Sequence, residues 1–132
     1  MKKLLLILMI LTLACLGCSN DDPNKTPRVT LTPPTWIQGT WANETYTFVF
    51  SERDISYTAT IEENGLPKSF LFTTRYASSL ISELETENEH WKHYQVFISN
   101  TTYLFGYNKE GNYLSYSFGL NMTMKEKGTL TK

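Results

Sequence analysis

Ile55-Ser56-Tyr57-Thr58-Ala59-Thr60-Ile61-Glu62 alternates residue by residue, with Ile55, Tyr57, Ala59 and Ile61 on one side and hydroxyl or charged groups on the other. A period of two puts those four on one face of a strand, whereas a helix would scatter them around its circumference. Asn64-Gly65 follows, the dipeptide that accepts positive φ most readily, and Pro67 lies just beyond. The run should therefore reverse in a hairpin.

The same period extends in both directions. Upstream, Tyr46, Phe48 and Phe50 share a face opposite Thr45, Thr47 and Ser51, with Val49 the exception, and Ser51-Glu52-Arg53-Asp54 reads as a turn. Downstream, residues 69–76 form a third β-rich run carrying Phe70 and Phe72. Four later groups each keep one phase: Tyr94, Val96 and Ile98; Tyr103, Phe105 and Tyr107; Leu114, Tyr116 and Phe118; Leu120, Met122 and Met124, with Leu130 near the end. Asn108-Lys109-Glu110-Gly111 is a further turn. Residues 77–88 fit two periods, since Ala77, Leu80, Ile81 and Leu84 make a helical stripe while Leu80, Ser82 and Leu84 alternate with Ile81, Glu83 and Glu85. The flanking runs favour a strand there, with a short helix as the alternative.

About eight strands with turn signals roughly every 8 to 12 residues are the pattern of an all-β sandwich or barrel. Connections this short require antiparallel order, because parallel neighbours need crossovers of about a dozen residues or more. Eight strands close into an up-and-down barrel whose interior is filled by side chains or holds one small ligand. Closure also removes the edges that invite aggregation.

Composition narrows the class. Twelve Lys+Arg against 13 Asp+Glu leave a formal net charge of -1, so there is no field to gather phosphates and no nucleic-acid partner is expected. Every aromatic residue lies at or after Trp36, in keeping with the preference of these rings for pleated surfaces. Cys15 and Cys18 are the only cysteines, so no disulfide can form within the body.

The N-terminal segment has its own logic. Lys2 and Lys3 precede an apolar run over residues 4–13, with small residues Ala14 and Gly17 beside the cysteines, which is the build of a secretory signal. The run is too short to span a bilayer, which takes about 20 apolar residues. Cys15-Leu16-Gly17-Cys18-Ser19-Asn20-Asp21-Asp22 resembles the signal-peptidase II site of small Bacteroidota lipoproteins. That resemblance implies a signal peptide over residues 1–17, lipidation at Cys18 and attachment to the outer membrane, on its periplasmic or cell-surface face. Acyl chains contribute about 0.8 kcal/mol per buried methylene, so more than one holds firmly. Residues 18–35 carry Pro23, Pro27, Pro33 and Pro34 with few apolar groups, and read as an extended tether. Residues 36–132 remain for one domain.

Trp36-Ile37-Gln38-Gly39-Thr40-Trp41 stands where tether gives way to body. Within it, Gly39-Thr40-Trp41 at the entrance to a long meander resembles the Gly-x-Trp signature of lipocalin-like (calycin) barrels. The resemblance implies that Trp41 packs across a closed barrel end, with Gly39 letting the chain come close beneath it. It also implies a basic residue near the last strand beside the tryptophan. The last arginine is Arg75, so Lys125 or Lys127 would take that place.

Chemistry-bearing groups are few. His90 and His93, with Glu87 and Glu89 nearby, lie three apart, which puts the two rings on opposite faces of a strand, and no metal site is expected. Glu83, Glu85, Glu87 and Glu89 read as an outward acidic edge that discourages strand pairing. The body has one aspartate, Asp54, in a turn, no Gly-x-Ser-x-Gly elbow and no phosphate loop, so neither enzyme activity nor a cofactor is expected. Tyr46, Phe48, Phe50, Tyr57, Phe72, Tyr103 and Phe105 are the candidates to line a pocket for a small apolar or amphipathic ligand, and plain core packing is their alternative role. The expectation is thus a lipid-anchored barrel carrying such a ligand, or a solid-cored envelope module meeting a protein partner.

Overall fold

In a computed structural model of the chain, residues 29–62, 65–120 and 123–132 are described. The segment expected to be a signal peptide, Cys18, the expected tether up to residue 28 and Asn64 of the expected hairpin lie outside them.

The body is all-β and antiparallel. β1 (Gly39–Ala42), β2 (Tyr46–Phe50), β3 (Ile55–Ala59) and β4 (Ser69–Leu71) form one sheet in chain order. A single helical turn, α1 (Phe72–Arg75), leads to the second sheet, again in chain order: β5 (Ile81–Glu87), β6 (Trp91–Ile98), β7 (Thr101–Asn108), β8 (Tyr113–Leu120) and β9 (Thr123–Leu130). The expected up-and-down order is present, but the expected closed barrel of about eight strands is not. The additional strand is β1, because Asn43 ends it: its Oδ1 accepts from the amides of Thr45 (2.9 Å) and Tyr46 (2.7 Å), turning the chain before β2 begins.

Among the described residues, main-chain pairing joins the two sheets along one seam. Ala42 and Thr131 exchange two backbone bonds of 2.9 Å each, which ties the end of β9 to β1. At the remaining edges, β4 and β5, no ladder forms among the described residues. The third β-rich run pairs for only three residues before Phe72 starts α1. Asp54 stabilises that departure, accepting from the Thr73 amide at 3.1 Å and from the Thr73 hydroxyl. Residues 77–88 resolve towards the strand, as β5, and the helical turn falls earlier than the ambiguous stretch. β3 ends at Ala59, leaving Ile61 exposed, and Gly65 has φ +72° in the connection that follows.

Alternation places the rings. Trp41, Phe48, Tyr57 and Phe70 sit in one cross-strand row of the first sheet, and Tyr94, Phe105 and Tyr116 in one row of the second. Both rows face the core. The folded body also begins earlier than Trp36: Leu31, Pro33 and Ile37 are buried, so the last residues of the supposed tether belong to the domain. An apolar side chain that finds core to cover stays there, whatever the prolines around it.

Candidate functional site

The seven candidate ligand-binding residues all converge on the interior, and all are full. Tyr46, Phe48, Phe50, Tyr57, Phe72, Tyr103 and Phe105 are each no more than 2% exposed. Their neighbours are one another: Phe50 meets Phe105 edge-on at 4.9 Å, Phe48 meets Phe105 at 5.1 Å and Tyr57 at 5.4 Å, and Phe72 lies 4.7 Å from Tyr103. Such ring pairs contribute about 0.5–1.5 kcal/mol each beyond their burial. The Tyr103 and Tyr76 hydroxyls share a hydrogen bond of 2.7 Å. Burial pushes both phenols above their ordinary pKa; for Tyr103 the Tyr76 hydroxyl adds to the rise, and for Tyr76 the bond to Tyr103 partly offsets it.

Trp41 is buried among Ile37, Tyr107 and Lys132. Its Nε1 donates to the Ile37 carbonyl at 2.7 Å, its ring meets Tyr107 edge-on at 5.9 Å, and the Lys132 Nζ lies 5.2 Å from the ring centroid. A cation thus stands beside the tryptophan, but it is Lys132 and not Lys125 or Lys127, which precede the end of β9. Gly39 explains the approach: its φ is +117°, and a Cβ there would come 2.9 Å from Lys132 Cε. Lys132 carries no motif, so only proximity across the β1–β9 seam reveals it.

On β5 the acidic run lies on the side of the strand that carries Val96 and Tyr94 on β6, with Glu83 half-buried and Glu85 and Glu87 exposed. Register pairs Glu83 with Val96 and Glu85 with Tyr94, both on the core side of β6. Glu83 accepts from the Thr32 amide at 2.8 Å, the Thr32 hydroxyl at 3.1 Å and the Tyr94 hydroxyl, and Glu85 accepts from Trp36 Nε1 at 2.8 Å. These carboxylates hold the entering segment across the open edge of β5. An exposed acidic edge is present at Glu85 and Glu87, whereas Glu83 is half-buried, since alternation fixes which residues share a face and only the partner strand says which face is the core. Burial, then the Glu83 carboxylate, raises the Tyr94 pKa above its ordinary range. Glu87, exposed like Glu85, takes the Lys109 ammonium at 2.6 Å, which holds its carboxyl below the usual value. Glu89 lies in the connection from β5 to β6, outside either strand.

The histidines do not meet. His90 lies in the β5–β6 turn with Nδ1 3.0 Å from Glu110, while His93 stands on the outer face of β6, stacked on Trp91. Among the described residues no group of three or more His, Cys, Asp or Glu is placed to hold a metal. Asp54 caps α1 and the start of β3, an architectural role.

A concavity lies on the outer face of the second sheet. It measures about 540 Å³ and is lined by His93, Leu104, Ser115, Ser117, Lys127 and Thr129, with parts of Tyr116 and Gly128. Apart from Leu104 and Tyr116, these positions read in sequence as the polar or small partners of alternating apolar residues, so periodicity points to solvent and no further. Neither the family models, nor the curated proteins, nor the solved structures compared with this chain match it.

Proposed function

We propose that this chain is a lipid-anchored, non-enzymatic module of the outer membrane that works through its exterior, its interior being occupied by its own side chains. The observation carrying this reading is the mutual packing of the seven interior rings, which leaves each ring with rings for neighbours. An apolar ligand would have to displace contacts of protein-interior density. The reading retains a kinship with lipocalin-like barrels in an opened form. Its supports are the meander order, Gly39 and Trp41 at the first strand, and a cation beside Trp41.

The anchor rests on Lys2, Lys3, the apolar run and Cys18. Leu80, 88% exposed, lies with the partly exposed Leu120 and Met124 at one end of the second sheet, where a protein partner would find apolar surface. Labelling cells with a fatty-acid analogue tests the anchor: incorporation should be lost in Cys18→Ser, and label that persists would refute lipidation at that residue. Native mass spectrometry of the full chain with retinoid and fatty-acid probes tests the filled interior. No adduct is expected, and a stoichiometric one would restore the carrier reading.

A further inference from the structure

We propose that the outer face of the second sheet binds a saccharide ring, in the depression between β6 and β9. A volume of about 540 Å³ lies within the range of about 300–1,000 Å³ usual for small-molecule sites. Register builds the depression in two rows. His93 stands opposite Gly106, Gly106 opposite Ser115 and Ser115 opposite Thr129, while Leu104, Ser117 and Lys127 form the next row. Gly106 makes the first row possible: a Cβ there would come 2.8 Å from Ser115 Oγ and 3.1 Å from His93 Cδ2. The missing side chain lets imidazole and hydroxyl approach over bare backbone.

The hydrogen-bonding character selects the ligand class. Ser115 donates to the Gly106 carbonyl at 3.0 Å, so its hydroxyl offers lone pairs outward. Lys127 only donates, whereas Ser117 and Thr129 do either. An oxyanion takes donors only, and the outward lone pairs of Ser115 offer it none. A plain hydrocarbon would strip water from three hydroxyls with nothing in return. A sugar ring presents hydroxyls that both give and accept around an apolar C–H face. For that face the sheet supplies Leu104, while Trp91, stacked on His93 (16°, 5.9 Å) and edge-on to Tyr113 (81°, 5.9 Å), holds the imidazole in place at the rim. The site is independent of whether the interior admits a ligand.

The test titrates the full chain, held in a detergent without sugar headgroups, with malto-, cello-, manno- and chito-hexaose, followed by calorimetry. At least one should bind, Trp91→Ala should weaken it tenfold or more, and Lys127→Ala, at an exposed position, about threefold. Val49→Ala, on the outside of the other sheet, should leave it unchanged. Should Trp91→Ala fail to fold, Lys127→Ala together with Ser117→Ala carries the test. Absence of binding by all four sugars at millimolar concentration overturns the proposal, as does binding that none of the site variants changes. Inorganic phosphate competing with the bound sugar would overturn it in favour of an anion site.

Discussion

Where β9 meets β1 the two sheets are joined by backbone, whereas at the β5 edge side chains tie the second sheet to the segment that leads into β1. At the first seam Ala42 and Thr131 pair, Asn43 Nδ2 reaches the Thr129 carbonyl at 3.1 Å, and Lys132 lies beside Trp41. At the second, β4 stops after three residues, α1 turns away on Asp54, and β5 keeps its edge occupied by Glu83 and Glu85 bound to Thr32 and Trp36. A backbone seam depends on geometry and tolerates many side chains; a side-chain seam depends on particular residues and can be undone singly. Carboxylates on this edge strand also disfavour addition of a foreign strand at β5, a known use of charge at sheet edges.

The largest effect is expected at the backbone seam from the ring behind it. Trp41→Ala should cost about 3–5 kcal/mol, the range for deleting a buried large aromatic side chain, read from urea unfolding. Loss below about 1 kcal/mol would mean that the seam stands without its ring. Gly39→Ala comes next, at about 1–3 kcal/mol for a side chain forced into a sparsely populated backbone region. Most of that cost should be backbone strain, since the Lys132 tip can swing aside.

Glu83→Ala separates the seams. It leaves the Thr32 amide and the Tyr94 hydroxyl without their acceptor, at about 1–2 kcal/mol for a partly exposed site. Hydrogen exchange should quicken at Thr32 while Thr131 stays protected. If both quicken together, the two seams are one cooperative unit and the contrast between them fails.

At neutral pH the smallest effect comes from the phenols, and it grows only in alkali. Tyr76, Tyr94 and Tyr103 all have raised folded values. Their stabilising contribution is therefore complete below about pH 10, where an unfolded tyrosine titrates, and is lost as pH rises beyond it. Stability measured across this range should fall, and Tyr94→Phe, which removes the phenol at the side-chain seam, should flatten part of the fall. A profile that stays level above about pH 10 would contradict the burial of these hydroxyls.

The interior was legible in sequence to a large degree because burial on one face forces a period of two. Tyr46, Phe48, Phe50, Tyr57, Tyr103 and Phe105 all fall in phase within strands, and all are core. Phe72 is core as well, but from α1 and not from the strand expected there. What these rings do was not legible, since a ring lining a pocket and a ring filling one leave the same pattern. Leu31 went unrecognised because a lone apolar residue among prolines has no period. The outer depression went unrecognised because small and polar residues on an outer face look like ordinary solvated surface.

By itself, then, the order of residues determined the all-β class, the antiparallel meander and most of the buried face, since these follow from alternation and turn chemistry between near neighbours. Only the tertiary structure decided that the meander stops short of a closed barrel, that Glu83 and Glu85 of β5 bind the segment entering β1, and that Lys132 stands beside Trp41. Those depend on which distant segments meet, and such meetings leave no mark on local periodicity.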